Sequence, residues 1–162
     1  MRIAVVSDTH MPRGRRRIPD ACVEAMRSAE LILHAGDLSS IEVLEWFEGL
    51  GPPVHAVHGN VDSEEVRARL PESDLVTAGR ARIGLVHDAG PAKGRLKRLR
   101  RRFADADAVV FGHSHLPLHE REEGFEIFNP GSPTERRRAP RASYGLLDIE
   151  PGRMHFRHVW LT

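Results

Sequence analysis

Two histidines one residue apart, His113 and His115, follow Gly112 at the end of the apolar run Ala108-Val109-Val110-Phe111. A run of this length, stopped by glycine, predicts a buried strand. If extended geometry persists through the motif, residues i and i+2 face one side, which turns both imidazoles into one site. Imidazole nitrogen is the commonest protein ligand for transition ions, so the pair suits one ion or two adjacent ones. The alternative is a pair of surface histidines in a turn, and the rest of the chain decides between them.

Four further strand-like runs end in side chains of the same chemical kind. Ile3-Ala4-Val5-Val6 runs into Asp8 and His10, Leu31-Ile32-Leu33 into His34 and Asp37, Val54-His55-Ala56-Val57 into His58 and Asn60, and Ile83-Gly84-Leu85-Val86 into His87. Open α/β sheets gather their ligands at the carboxyl ends of strands. The candidate set is therefore Asp8, His10, Asp37, Asn60, His87, His113 and His115. It mixes carboxylate, amide and imidazole without thiolate, which suits manganese, iron, zinc, cobalt or nickel and argues against a calcium site built of oxygen alone. So many ligands exceed one tetrahedral ion. A shared carboxylate would let them serve two ions ~3.5 to 4 Å apart, the arrangement that activates water and clamps a phosphoryl group for in-line displacement. His34 and His58 lie near the site as supporting groups, whereas His55, His119, His155 and His158 read most simply as structural or exposed.

The elements that must position these residues are legible between them. Pro19 suits a helix start, and Val23, Met26 and Ala29 then recur at three-residue spacing. Ser39 or Ser40 is placed to cap a second helix carrying Ile41, Leu44 and Trp46-Phe47, which Gly49 and Gly51-Pro52-Pro53 stop. Ser63 is placed to cap a short third helix ended by Pro71. This alternation of strands and helices predicts an α/β fold with a largely parallel first sheet. After His115, the segments Leu118 to Arg121, Phe125 to Phe128, Tyr144 to Ile149 and Met154 to Leu161 read as strands, with Gly124 and Pro151-Gly152 as turns. Their connections are too short for helical crossovers, so antiparallel pairing in a mixed or antiparallel sheet is expected. The arginine-rich segment Pro133 to Pro140 reads as the mobile loop.

The chain of 162 residues is 40% hydrophobic and 29% charged, with a formal net charge of +1. That composition fits a soluble globular protein, and one domain over residues 1–162 is expected. No apolar stretch approaches the ~18 residues of a membrane span, and Met1 to Val6 is too short for a signal-peptide core. A cytoplasmic protein without a membrane partner is expected. Cys22, the single cysteine, cannot form an internal disulfide and is expected as a buried thiol. Basic residues cluster at Arg13 with Arg15 to Arg17, at Lys93 to Arg102 and at Arg136 to Arg141. Such clusters suit phosphate or nucleic acid, but a charge run is usually a solvated face. In Lys93 to Arg102 the helical spacing of Leu96, Leu99 and Phe103 turns an apolar stripe inward and the arginines toward water.

Asp8-Thr9-His10, Gly36-Asp37, Gly59-Asn60-Val61-Asp62, His87 and Gly112-His113-Ser114-His115 resemble, in order and spacing, the successive motifs of calcineurin-like metallophosphoesterases. Asn129-Pro130-Gly131-Ser132 further resembles the small microbial phosphodiesterase branch of that superfamily. The resemblance implies two mixed β-sheets packed as a sandwich with helices on the outer faces. It also implies Asp8, His10, Asp37 and His115 on one ion, and Asp37, Asn60, His87 and His113 on the other, with Asp37 as the bridge. The implied activity is a phosphodiesterase acting on a small phosphate ester. A hydroxide bridging two divalent ions, with manganese favoured over iron, zinc, nickel or cobalt, attacks phosphorus in line, and Asp37, Asn60 and His113 take part in catalysis.

Arg13, just past His10, is a candidate contact for the substrate phosphate, with a solvated arginine as the alternative. Gly131 and Ser132 either place backbone N–H groups at the site or make a turn. Two departures from the family pattern bear on rate and substrate choice without removing a ligand. Val61 stands where many relatives carry the histidine that protonates the leaving group, and Asp88-Ala89 stands where many carry Gly-His. Two other readings are a protein-interaction scaffold of the same fold, as in one eukaryotic trafficking subunit, and a nuclease that uses the arginine clusters. Nucleic acid is the less favoured partner, and its binding would be strongly salt-dependent. A homo-oligomer is compatible with all three readings.

Overall fold

The structure, a computed structural model, describes residues 1–11 and 16–162. The elements run β1 (Arg2–Val6), α1 (Asp20–Arg27), β2 (Leu31–His34), α2 (Ile41–Glu48), β3 (Val54–Ala56), α3 (Glu64–Arg69), β4 (Ser73–Ala78), β5 (Ala81–Val86), α4 (Arg95–Arg102), β6 (Ala108–Val110), β7 (Leu118–Glu122), β8 (Phe125–Asn129), β9 (Ser143–Glu150) and β10 (Arg153–Trp160). They form two five-stranded sheets ordered β10-β9-β1-β2-β3 and β4-β5-β6-β8-β7. The parallel pairs are β1 with β2 and β2 with β3, on one side of the first sheet, and β5 with β6 and β6 with β8, in the middle of the second. Every other pair is antiparallel.

Strand alternation builds the layers. Ile3 and Val5 of β1 and Leu31 and Leu33 of β2 face the second sheet, where Ile83, Leu85, Val110 and Phe128 meet them in the central core. Ala4, Val6 and Ile32 face the opposite way, onto Cys22 and Met26 of α1 and Val43, Leu44 and Phe47 of α2. On the far side of the second sheet, Val109, Phe125 and Ile127 pack under Leu96, Leu99 and Phe103 from α4 and its end. The result is a four-layer sandwich, helices outside and two mixed sheets within. Phe47 is fully buried, so Phe47→Ala would cost about 3 to 5 kcal/mol. Among the described residues no helix is long and apolar enough to cross a membrane.

Several sequence-based expectations are corrected. β4 was not foreseen: it is an edge strand on which Leu75 and Thr77 are exposed and only Val76 and Ala78 are buried, so its apolar signal is thin. The later strands do not make one sheet of their own. β9 and β10 extend the first sheet and β7 and β8 the second, and β6 pairs with β8 in parallel because β7 lies outside both. At α2, Ser40 occupies the cap position, but its hydroxyl makes no capping hydrogen bond, whereas Ser63 does accept from Val66 N at 3.3 Å. The α4 arginines do not simply face water. Arg98 donates to the carbonyls of Ala89 at 2.7 Å and Pro91 at 2.6 Å, tying down the loop after β5, and Arg95 and Arg100 lie over the rings of Phe111 and Phe125. Cys22 is buried, and burial pushes its thiol up to about 12.

Candidate metal centre

The carboxyl ends of β1, β2, β3, β5 and β6 all open on one end of the sandwich, three from the first sheet and two from the second. Asp8, His10, Asp37, Asn60, His87, His113 and His115 sit in the loops that leave them. His10 Nε2 lies 3.1 Å from His115 Nε2 and 3.6 Å from Asp37 Oδ2. His87 Nε2 lies 3.2 Å from the same Asp37 oxygen and 3.1 Å from Asn60 Oδ1, which also lies 3.1 Å from His113 Nδ1. Asp8 Oδ1 is 3.4 Å from His115 Nε2 and 4.0 Å from His87 Nε2. All seven expected residues are thus brought together. Arg13 lies outside the described residues.

Strand geometry does not carry His113 and His115 into the site. β6 ends at Val110, and both histidines adopt left-handed backbone, φ 68° and 59°. Ser114 N–H donates to Gly112 O at 2.8 Å, so a tight turn aims the two rings. Asp8, His10 and Asp37 are left-handed as well. Such conformers cost a non-glycine residue about 1 to 3 kcal/mol each unless the surroundings fix them. The surroundings leave no slack. A Cβ on Gly112 would land on Ser7 Oγ and Asp8 Oδ2, and one on Gly59 would land on Asp37 Oδ1.

Hydrogen bonds fix which atoms face inward. Asp8 Oδ2 accepts from Ser7 Oγ at 2.7 Å and from His113 N at 3.0 Å, leaving Oδ1 buried with no partner. Asp37 Oδ1 accepts from Val61 N at 3.0 Å, leaving Oδ2 to the imidazoles. His87 Nδ1 donates to Ala35 O at 2.7 Å and His115 Nδ1 to Glu135 O at 2.6 Å, so His115 Nε2 presents a lone pair to the centre and His87 Nε2 does so once its second proton leaves. This is the tautomer a metal requires.

A supporting layer holds the loops. His34 Nδ1 accepts from Gly36 N and its Nε2 donates to Thr9 Oγ1, both at 3.1 Å, joining the loops after β1 and β2. The Asp62 carboxylate accepts from Asp37 N, Ser39 N and Gly59 N at 3.0, 2.6 and 2.6 Å. Asn129 Nδ2 donates to Gly112 O at 2.9 Å, while its Oδ1 accepts from Gly131 N, so the Asn129 to Ser132 segment forms a turn and Gly131 does not offer its N–H to the site. Ser132 Oγ donates to Asp8 O at 2.8 Å and Thr134 Oγ1 to Thr9 O at 2.8 Å, anchoring the first half of the Pro133 to Pro140 loop. Ser7, Asp62, Thr134 and the Glu135 carbonyl are absent from the site residues that the sequence points to. Asp62 alone carried a signal, its place in the Gly59 to Asp62 motif.

Burial and mutual charge divide the cluster. Burial pushes the Asp8 carboxyl up to about 7, against the pull of the His87 charge. Burial also works against ionised Asp37, but contact with His87 outweighs it and holds that carboxyl down to about 2. His87 is raised to about 9, since its hydrogen bond to Asp37 and the charges of Asp8 and Asp37 overcome its burial. His115 is lowered to about 4, and His10 is also lowered, burial being the main cause in both. Burial takes His34 down to about 3 and keeps it neutral. An unpartnered carboxylate oxygen, the neutral imidazoles of His10 and His115, the His87 imidazole once it gives up its proton and an amide oxygen are the donors that fit a divalent transition ion. Two overlapping triads meet the spacing for one, Asp8 with His10 and His115, and Asp8 with Asp37 and His87.

Residues 1–152 match the calcineurin-like phosphoesterase superfamily domain. A probable metallophosphoesterase of Methanothermobacter thermautotrophicus is 40% identical over 136 residues, 83% of this chain and 78% of that protein. Another, from Methanocaldococcus jannaschii, is 33% identical over 153 residues, 93% of this chain and 77% of that protein. Among solved structures, wild-type Vps29 of Entamoeba histolytica complexed with zinc superposes with a TM-score of 0.78 at 25% identity, covering 99% of each chain. With residues 1–152 of its 162 matched to that domain and the motif residues converging on one centre, the chain belongs to the calcineurin-like phosphoesterase superfamily.

Proposed function

We propose that the chain is a phosphodiesterase that works with two divalent transition ions, manganese favoured, held by the seven clustered residues. One observation carries this reading. Asp37 Oδ2 stands 3.6 Å from His10 Nε2 and 3.2 Å from His87 Nε2, between the two groups of ligands, where a single carboxylate can serve both. Asp8, His10 and His115 would complete one ion's shell, and Asn60, His87 and His113 the other's. Ions held there supply Lewis acidity to a phosphoryl oxygen and lower the pKa of water enough to yield a nucleophile near neutral pH.

The chain's own residues do the rest. Asp8 and Asp37 balance the cationic charge, and their tied oxygens hold the free ones in place. His113 and Asn60, both exposed, stand at the mouth, where His113 is placed to stabilise charge growing on a phosphoryl oxygen. Metal uptake alone would also fit a metal-binding scaffold of this fold, so turnover is what separates the enzyme from that alternative. The test strips the protein of metal, reloads it with one ion type at a time and assays bis(4-nitrophenyl) phosphate. Activity that is lost with chelator, returns with manganese and tracks about two bound ions per chain supports the reading. Full activity in chelator overturns it.

A further inference from the structure

A cleft of about 230 Å³ opens beside the cluster, its lining including Asn60, His87, His58, Arg67, Glu72 and Asp88. Arg67 projects from α3 and is clamped by main-chain oxygens, its Nε donating to Asp62 O at 3.0 Å and its Nη2 to Asn60 O at 2.7 Å. Its neighbour Arg69 is neutralised instead, by Glu48 at 2.8 Å and Glu45 at 3.8 Å. Arg67 has no such carboxylate partner among the described residues, so its guanidinium is fixed in direction with its charge unspent. Of the two acids in the lining, Asp88 accepts from Gly90 N at 2.8 Å. Glu72 is exposed and offers an acceptor to a hydroxyl.

We infer that this cleft receives one substituent of the phosphodiester, and that Arg67 binds a second anionic group, phosphate or carboxylate, carried by that substituent. The inference rests on the phosphodiesterase reading and adds a substrate class to it. A planar fork held in advance suits the oxygens of such a group and gives up little entropy on binding. The volume lies below the range of drug-sized sites, which points to a small polar substituent of glycerol or pentose size. Among the described residues no Phe, Tyr or Trp lines the cleft, so it lacks the broad stacking platform that single-stranded nucleic acid uses, and the nuclease alternative gains nothing here.

The experiment titrates manganese-loaded protein with methyl phosphate, which carries one anionic group, and with 3-phosphoglycerate, which carries two. The wild type is expected to prefer 3-phosphoglycerate by about tenfold to a hundredfold, the worth of one charge-assisted hydrogen-bonded contact. Arg67→Gln should erase that preference and Arg67→Lys should keep part of it. A merely structural role for Arg67 would weaken both ligands alike and leave their ratio unmoved. Equal affinities in the wild type, or a preference that survives in Arg67→Gln, overturns the assignment. Turnover of bis(4-nitrophenyl) phosphate is read on the same preparation. Its presence without the preference rejects Arg67 alone, and its absence rejects the phosphodiesterase reading beneath it.

Discussion

At the carboxyl end of the parallel strands, Asp8 Oδ1 and His10 Nδ1 are buried with no hydrogen-bond partner, whereas at the opposite end of the sandwich the buried Glu126 is met by His119 at 2.6 Å and Arg121 at 3.8 Å. The backbone follows the same division. Left-handed conformers at the first end fall on Asp8, His10, Asp37, His113 and His115. At the other end, the turns between β4 and β5, β7 and β8, and β9 and β10 contain Gly79, Gly124 and Gly152, for which φ near +60° to +79° carries no side-chain penalty, and Glu123, at φ 47°, is the non-glycine exception in these turns. One end is arranged for stability. The other holds unpartnered polar atoms in conformations that only a rigid frame of hydrogen bonds sustains, as expected where a structure is shaped for a ligand.

Substituting a carboxylate at each end should break the comparison most sharply. Asp37→Asn removes the carboxylate charge that His10 and His87 share through Oδ2, and turnover should fall roughly 10³-fold together with metal content. Glu126→Gln should leave turnover in place and cost about 1 to 3 kcal/mol of stability through the weakened contacts to His119 and Arg121. Denaturant melts and elemental analysis on both variants check the pair. Glycine substitution repeats the contrast. In Gly112→Ala the new methyl meets Asp8 and Ser7, and a loss of about 100-fold in activity or metal affinity is expected. Gly124→Ala points its methyl into open space, so only about 1 kcal/mol of backbone strain should register, with activity unchanged.

Val61 sharpens what the active end lacks. Its backbone N–H holds Asp37, but its side chain cannot protonate a leaving group. Rates across a series of phenyl phosphodiesters should therefore depend steeply on leaving-group pKa, and Val61→His should recover part of the ~10²-fold or greater benefit of general acid catalysis on poor leaving groups. A flat series in the unmodified protein would show that another residue delivers the proton.

A smaller effect is expected from pH. The metal-free cluster holds His87 raised to about 9 and Asp8 raised to about 7, so both groups carry protons below neutrality. Bound ions require the deprotonated forms, so metal uptake should release protons and weaken as the pH falls below 7. Titration calorimetry in buffers of different ionisation enthalpy reads that release. Uptake without proton release at pH 6.5 would contradict the charge division described for the cluster.

Much of this was legible before the structure, for a physical reason. Apolar runs that stop at Asp, His or Asn announce both a buried strand and the polar group at its end, which is how Asp8, Asp37, Asn60 and His87 were found. The His113 and His115 pair was found by the wrong geometry, since spacing is visible in a sequence and left-handed backbone is not. Asp62, Asn129 and Ser132 work through backbone groups of distant loops, contacts that no local pattern encodes. β4 escaped because an exposed edge strand needs only one buried face. Arg67 carries no sequence signal, because its partners are carbonyl oxygens of the Asn60 to Asp62 loop, which only the fold brings to it.

The central claim is that the seven residues hold two ions with Asp37 between them. Crystals of manganese-loaded protein, measured at the manganese absorption edge, test it directly through the anomalous difference map. The account predicts two peaks, one among Asp8, His10 and His115 and one among Asn60, His87 and His113, with the Asp37 carboxylate touching both. A single peak, or none within this cluster, would contradict it.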